Sequence, residues 1–345
     1  MIDIKSYDYE ELKAYFAALG EPAFRATQVY DWLHCKHATD FGQMTNLSKS
    51  LREKLAADCT IAKAEPVQIL SSALDGTKKF LFRFADGNVI ESVFLPYKHG
   101  NSVCISTQVG CRMGCRFCAS TLDGMTRNLT AAEMLEEVYR ISALTGERIS
   151  NVVLMGAGEP LDNFDEVTRF LRMISDEHGA HISQRNLTLS TCGLVPEIRR
   201  LSESDYQITL AISLHAPTQE KRETLMPIAR RYPLTELIPA CRDYFAKTGR
   251  RLTFEYSLID GVNDTDEDAE NLCRLLKNLP CHVNLIALNP IKERNFCESG
   301  GLRPIKFKNL LEKNRINVTI RREMGRDING ACGQLRKSYV DSESS

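Results

Sequence analysis

Three cysteines offer the clearest chemistry in this chain. Cys111-Arg-Met-Gly-Cys115-Arg-Phe-Cys118 puts three thiols within eight residues, on a loop after an apolar run. Thiolates so spaced bind metal. Structural zinc takes four closed ligands, and a complete iron–sulfur cube takes four cysteines. Three ligands in one tight loop leave one metal position open, and an open position can take a substrate. The alternative is a zinc ion completed by a distant cysteine or histidine.

A second candidate is Met155-Gly156-Ala157-Gly158-Glu159-Pro160. It partly mimics GxGxxG, but the third glycine is absent, so the dinucleotide fingerprint fails. Its glycines would let backbone approach a ligand, and Glu159 could accept hydrogen bonds from an ammonium group. Further polar clusters follow apolar runs: Ser190-Thr-Cys-Gly193, Ser213-Leu214-His215-Ala-Pro217 and Asn289-Pro290. Loop capping explains any one of them; three in succession suggest a ligand.

Near the C-terminus, Gly330-Ala-Cys332-Gly-Gln334 places a cysteine between glycines, as an exposed thiol rather than a core one. Residues 302–337 carry ten basic side chains against three acidic ones, although the whole chain nets −1. That local excess suits a phosphate backbone or is simply a solvated face. Asp264, Asp266 and Asp268 resemble a calcium loop, but Ala269 and Leu275 stand where glycine and glutamate are needed. They read as helix-capping residues instead.

The elements that must position these residues alternate. Residues 1–62 read as three short helices (Tyr9–Leu19, Ala26–Leu33, Ser48–Ala57), a small bundle or an RNA-contacting appendage. Residues 63–102 read as a β-meander, with Asp75-Gly76 and Asp86-Gly87 as hairpin turns. From residue 103 to about 300, short apolar strands alternate with helices of 10–15 residues. About six βα units favour a full or partial barrel over a doubly wound sheet. Residues 301–345 form a basic C-terminal segment that carries Cys332. The 345-residue length, 43% hydrophobic and 26% charged, excludes a wholly disordered chain. No apolar run is long enough to span a membrane. Met1–Glu10 lacks the apolar core of a secretory signal, so a reducing cytoplasm is expected. There cysteines bind metal, do redox chemistry or fill the core. Cys35, Cys59, Cys192, Cys241, Cys273, Cys281 and Cys297 fall in the last, unassigned group.

The CxxxCxxC loop, with Phe117 before its last cysteine, resembles the signature of the radical S-adenosylmethionine (SAM) superfamily. Gly158-Glu159 resembles that superfamily's GGE-type motif, with Ala157 as a departure. A closer resemblance joins six segments in order: Glu91–Pro96, Cys104–Cys111, Arg127–Thr130, Gly158–Pro160, Ser213–Pro217 and Ala331–Gln334. Together with Phe24–Trp32, they are similar to the RlmN group of radical SAM RNA methyltransferases, over roughly residues 20–337. The fold implied is a partial (βα)6 radical SAM barrel, with the helical domain and meander as extensions. The resemblance makes Cys111, Cys115 and Cys118 the ligands of one [4Fe–4S] cluster. It makes Gly158, Glu159, Ser190, Ser213, Leu214, His215 and Asn289 SAM-binding positions. Cys332 becomes the cysteine methylated by a first SAM, Cys104 the resolving thiol and Glu91 the acid/base.

The implied product is 2-methyladenosine in 23S rRNA and in the anticodon loop of some tRNAs, with two SAM per turnover. Carbon 2 of adenine is electron-poor and will not attack the methyl of SAM directly. A methyl on Cys332 can lose a hydrogen atom to a 5′-deoxyadenosyl radical and add to the ring. Glu91 then removes the ring proton, and Cys104 attacks the Cys332 sulfur. That leaves a Cys104–Cys332 disulfide for cellular thiols to reset. A low-potential donor such as a flavodoxin system, no membrane partner and a monomeric state are expected. Two alternatives remain. One is the sister group that methylates carbon 8 and usually has alanine where this chain has Pro160. The other is a non-enzymatic metal-containing RNA-binding protein.

Overall fold

The computed structural model describes residues 1–291, 293–328, Leu335 and Tyr339. The N-terminal part begins with strand β1 (Ile2–Asp3) and helices α1 (Tyr9–Ala18), α2 (Phe24–His34) and α3 (Lys49–Asp58). Strand β2 (Cys59–Thr60) returns to pair with β1 in parallel. These two-residue strands carry no alternation that a sequence could reveal. Apolar faces of the three helices close a small core around Leu12, Phe16, Tyr30, Leu33 and Leu55. Asp8 and Glu11 cap α1 reciprocally, satisfying its first free amides.

One ten-stranded sheet makes up most of the rest. Strands β3 (Glu65–Ser71), β4 (Lys78–Arg83), β5 (Val89–Leu95) and β6 (Asn101–Cys104) form the expected antiparallel meander. Gly76 and Gly87 take positive φ at its two Asp-Gly turns. A second small sheet pairs β7 (Gln108–Gly110) with β8 (Met125–Asn128), and between them lies the cysteine loop. Helix α4 (Ala131–Thr145) then leads to β9 (Ile149–Leu154), which pairs with β6 in parallel.

The chain continues through α5 (Phe164–Ser175), β10 (Leu187–Thr191), α6 (Val195–Ser202) and β11 (Thr209–Ser213). Helices α7 (Gln219–Leu225) and α8 (Leu234–Thr248) precede β12 (Leu252–Leu258). Then come α9 (Asp266–Leu275), β13 (Cys281–Ala287), α10 (Arg303–Lys313) and β14 (Asn317–Ile320). Spatial order is β14-β13-β12-β11-β10-β9-β6-β5-β4-β3, and β6 with β9–β14 run parallel. Six βα units therefore build an open, partial barrel, as the sequence predicts. The helical stripes and the apolar strands share one core, into which Phe80, Phe82, Ile90 and Phe94 of the meander also pack.

The aspartates of 264–268 behave as capping residues. Thr265 and Asp268 form a reciprocal box at the start of α9, and Asp268 also pairs with Lys221. The helical core is joined to the barrel by a buried ion pair. Lys5 pairs with Glu136 of α4, both fully buried, and Glu136 also accepts from the Ala64 amide at 3.3 Å. Removing one partner strands a buried charge, at a cost of about 3–5 kcal/mol. We predict that Glu136→Ala lowers the urea midpoint strongly, whereas Lys5→Met/Glu136→Leu recovers most of it. An equally unstable double variant would show that packing, not charge, holds this joint.

Candidate active site

The chemical groups converge at the C-terminal ends of the parallel strands, where barrels place their sites. The cysteine loop leaves β7 at Gly110, whose φ is +78°. A Cβ there would stand 2.0 Å from the Gly124 carbonyl, so only glycine permits the crossing. The Cys111 amide donates to Gly124 O at 2.9 Å. Thr121 Oγ1 donates to the carbonyls of Cys115 (3.0 Å) and Cys118 (2.9 Å), closing the loop on itself. The Arg116 amide ties it to α7 through Leu225 O at 2.9 Å. Phe117 meets His215 edge-on, ring centroids 4.7 Å apart, linking the loop to the end of β11.

Burial, and then the neighbouring thiols, raise Cys111 to about 12 and Cys115 well above its ordinary value. Burial raises Cys118 too. Three thiols that resist ionisation together need a positive core to hold them as thiolates. Three cysteines on one loop can each hold one iron of a cluster and leave the fourth open, so the donor set fits an iron–sulfur cluster with one open iron.

The 156–159 segment lies against the chain that follows β6. Gly156 N donates to Ile105 O (2.9 Å), and the amides of Thr107 and Gln108 donate to Ala157 O at 2.8 and 3.2 Å. A Cβ on Gly156 would meet Ile105 O at 2.5 Å, and one on Gly158 would meet Gln108 Cβ at 2.7 Å. The close approach these glycines allow is thus to the chain itself, not directly to a ligand. Gln108 Oε1 accepts from the Glu159 amide at 2.9 Å. The Glu159 carboxylate is buried and accepts from Leu161 N (3.1 Å) and Cys192 N (2.7 Å). Burial raises its pKa despite these amides. Its two oxygens still have lone pairs for a further donor.

The next strands add their ends. Ser190 Oγ and Ser213 Oγ lie 3.4 Å apart across β10 and β11. The Leu214 amide donates to Glu255 O at 3.1 Å, and its side chain is buried. His215 takes a left-handed φ of +55°. Its Nδ1 accepts from Ser257 N at 3.0 Å, so the ring proton sits on Nε2. Burial, with the Arg222 charge, pushes His215 down to about 3, so the ring is neutral at physiological pH.

Beside these lies a cleft of ≈ 450 Å³. Glu91 of β5, Cys104 of β6, Met155, Gly156 and Asn289 line it, with Arg321, Arg322 and Arg326 beyond β14. Glu91 and Cys104 thus share one cleft with part of the basic segment. Glu298 and Glu323 line the cleft too and pair with Arg326, while among the other described residues of the segment Arg303 pairs with Asp266 and Lys308 with Glu312. Glu91 is buried and pairs with buried Lys79 at 3.4 Å. Burial raises Cys104 to about 11, while Arg321 and the Met155 amide pull it down. Cys332 lies outside the described residues. The eleven cysteines among them are free thiols, and no disulfide is seen. Of the seven unassigned ones, Cys59, Cys192, Cys241 and Cys281 are buried, whereas Cys35 and Cys297 are exposed.

Sequence reasoning missed Lys79, Gln108 and Arg222. Lys79 lies in a run that reads as a meander strand and Arg222 in a charged stretch, and nothing in either marks a buried charge. Gln108 lies within the quoted Cys104–Cys111 motif, which was the available signal.

A strand-end site built on an open three-cysteine loop defines the chain as a radical SAM enzyme, and its relatives agree. Residues 105–276 match the radical SAM superfamily model, and residues 2–61 match the model for the N-terminal domain of ribosomal RNA large subunit methyltransferases. The chain is 60% identical to the probable dual-specificity RNA methyltransferase RlmN of Lachnoclostridium phytofermentans, covering 99% of this chain and 96% of that one. It is 57% identical to the protein so named in Lachnospira eligens, over 99% and 97%. A crystal structure of a radical SAM methyltransferase from Sphaerobacter thermophilus superposes with a TM-score of 0.92 and 44% identity, covering 97% of this chain and 99% of that one. The chain belongs to the RlmN family of radical SAM methyltransferases. Membership implies a [4Fe–4S] cluster and SAM.

The Cys104 thiol is protonated at neutral pH, and its thiolate grows about tenfold per pH unit below its pKa. We predict that iodoacetamide labelling of Cys104, followed by peptide mass spectrometry, rises steeply from pH 7 to 10. Arg321→Gln should slow it severalfold at each pH. A labelling rate unchanged in Arg321→Gln would show that this guanidinium does not act on the thiol.

Proposed function

We propose that this enzyme methylates carbon 2 of an adenosine in 23S rRNA and in the anticodon loop of some tRNAs. The observation that carries the reading is the shared cleft: Glu91 and Cys104 line it beside the arginines 321, 322 and 326. The sequence resemblance gives the methyl-carrier role to Cys332. Cys111, Cys115 and Cys118 would hold the cluster, and Glu159, Ser190, Ser213, His215 and Asn289, with backbone at Gly158 and Leu214, would hold SAM. Bound there, the two would supply the methyl that Cys332 carries and a radical able to remove a hydrogen atom from it.

The remaining steps belong to the chain's own groups. Once the carried carbon is joined to adenine and the adduct's unpaired electron has been given up, which the bound cluster would accept, the Glu91 carboxylate takes the proton from carbon 2. Lys79, 3.4 Å away, is the buried counter-charge of that carboxylate before the transfer. Cys104 then attacks the Cys332 sulfur as the thiolate, its proton released to solvent. A sulfur–sulfur bond forms, the carbon–sulfur bond breaks with its electron pair left on carbon, and the proton held by Glu91 returns to that carbon to complete the methyl on the base. Cellular thiols reduce the resulting disulfide. We propose that residues 1–62 help hold RNA, that a flavodoxin-like donor supplies the electron and that the enzyme works in the cytoplasm.

Incubation with SAM, a reductant and a 23S rRNA fragment should yield 2-methyladenosine on nucleoside analysis. 8-Methyladenosine would assign the chain to the carbon-8 chemistry, and SAM cleavage without any methylated base would remove RNA as its substrate. Neutralising Arg321, Arg322 and Arg326 together should weaken RNA binding. It should also flatten the log–log salt dependence by about one unit for each phosphate no longer neutralised. SAM cleavage without RNA should survive, and an unchanged slope would return this segment to a solvated face.

A further inference from the structure

Helix α7 contributes one side chain that the chemistry above leaves unused. Arg222 is fully buried, although α7 reads Gln-Glu-Lys-Arg-Glu-Thr-Leu and its other charged residues lie nearer to solvent. Its Nη2 donates to Cys192 O at 2.7 Å and to Ser213 O at 3.5 Å, and its Nη1 to Tyr232 O at 3.4 Å. Its Nε has no partner among the described residues. Gly193 leaves it room, because a Cβ there would stand 3.3 Å from Nη2.

All its partners are neutral carbonyls. No carboxylate among the described residues pairs with it, and the acidic groups that act on it are the thiols of Cys192, Cys115 and Cys241. A guanidinium remains protonated even when buried. An uncompensated charge in a protein interior costs several kcal/mol. A fold that keeps one buried needs an anion beside it. Cys115 is acted on by this charge, and the Arg116 amide bonds to Leu225 at the end of the same helix.

We propose that Arg222 is the buried counter-charge of the iron–sulfur cluster, a positioning residue that raises the cluster's reduction potential. The inference rests on the cluster assignment to Cys111, Cys115 and Cys118. With three thiolates the cluster is anionic, and one electron from a donor makes it more so. A fixed guanidinium therefore stabilises the reduced form more than the oxidised one. It donates to the Cys192 and Ser213 carbonyls at the ends of β10 and β11, so its effect on the cluster has to be separated from any effect on SAM.

The test is a redox titration with dithionite, followed by electron paramagnetic resonance, on SAM-free holoenzyme. Wild type, Arg222→Met and Arg222→Lys are compared at equal iron content. Arg222→Met should shift the midpoint to more negative potential, with Arg222→Lys between it and wild type. An unchanged midpoint in Arg222→Met with its cluster intact overturns the proposal. Weakened SAM binding at an unchanged midpoint also overturns it, assigning the charge to the SAM carboxylate. If Arg222→Met does not fold, Arg222→Lys decides alone, because its shorter side chain withdraws the charge from Cys115: a negative shift supports the proposal, and no shift overturns it. Wild-type protein that binds no iron would instead refute the cluster assignment itself.

Discussion

The contact between residues 105–108 and 156–158 governs the arrangement of the site. Amide and carbonyl groups of the two segments bond directly, and the Ala157 amide donates to Ser106 Oγ at 3.1 Å. The space for a Cβ is missing at Gly156 and at Gly158. One segment continues into β7 and the cysteine loop; the other continues into Glu159. Cys104 stands one residue before the contact, at the end of β6. Three chemical functions are therefore fixed to one another by backbone, over a distance too short to vary. Gln108 completes the joint, accepting from Glu159 and donating to Asn128 and Asp162 at 2.8 and 2.9 Å. Asp162 in turn holds Arg112 of the cysteine loop.

Charge is distributed around this joint by position. Arg321, Arg322 and Arg326 line the open side of the cleft, where an anionic polymer can reach them. Lys79 and Arg222 are buried, where a charge acts on a fixed neighbour rather than on a passing one. The Lys79–Glu91 pair lies on β4 and β5, outside the parallel strands. The meander is thus more than an edge cover for the sheet: it supplies the acid/base candidate to the barrel. Described residues on either side of Cys332 also bond to the meander. Asp327 accepts from Ser72 Oγ at 2.6 Å, and Arg83 donates to Tyr339 Oη at 2.7 Å.

Much of this arrangement was legible because it depends on local pattern. Apolar runs marked the seven parallel strands, glycine after aspartate marked both hairpins, and cysteine spacing marked the loop. The pair β7–β8 was not legible, since strands of three and four residues around a metal loop show no alternation. Helix α7 was missed because seven mostly charged residues present no apolar stripe. Beyond Cys104 the chain leaves β6, and Thr107 and Gln108 meet Ala157, a turn that no local pattern announces. Arg222 and Lys79 were hidden for a different reason. Burial of a charge is decided by what surrounds it in space, and a single sequence does not show that. The shared cleft of Glu91, Cys104 and the arginines likewise joins residues more than two hundred positions apart.

Cys104 is proposed as a resolving thiol in this cleft rather than as part of its wall. Cys104→Ala and Cys332→Ala, each holding its cluster, can be incubated with SAM, reductant and RNA and run on a denaturing gel. The account predicts a nuclease-sensitive protein–RNA band in Cys104→Ala, because nothing breaks the carbon–sulfur bond, and none in Cys332→Ala, which lacks the carrier. Cys104→Ala protein that cleaves SAM yet forms no such band would contradict it.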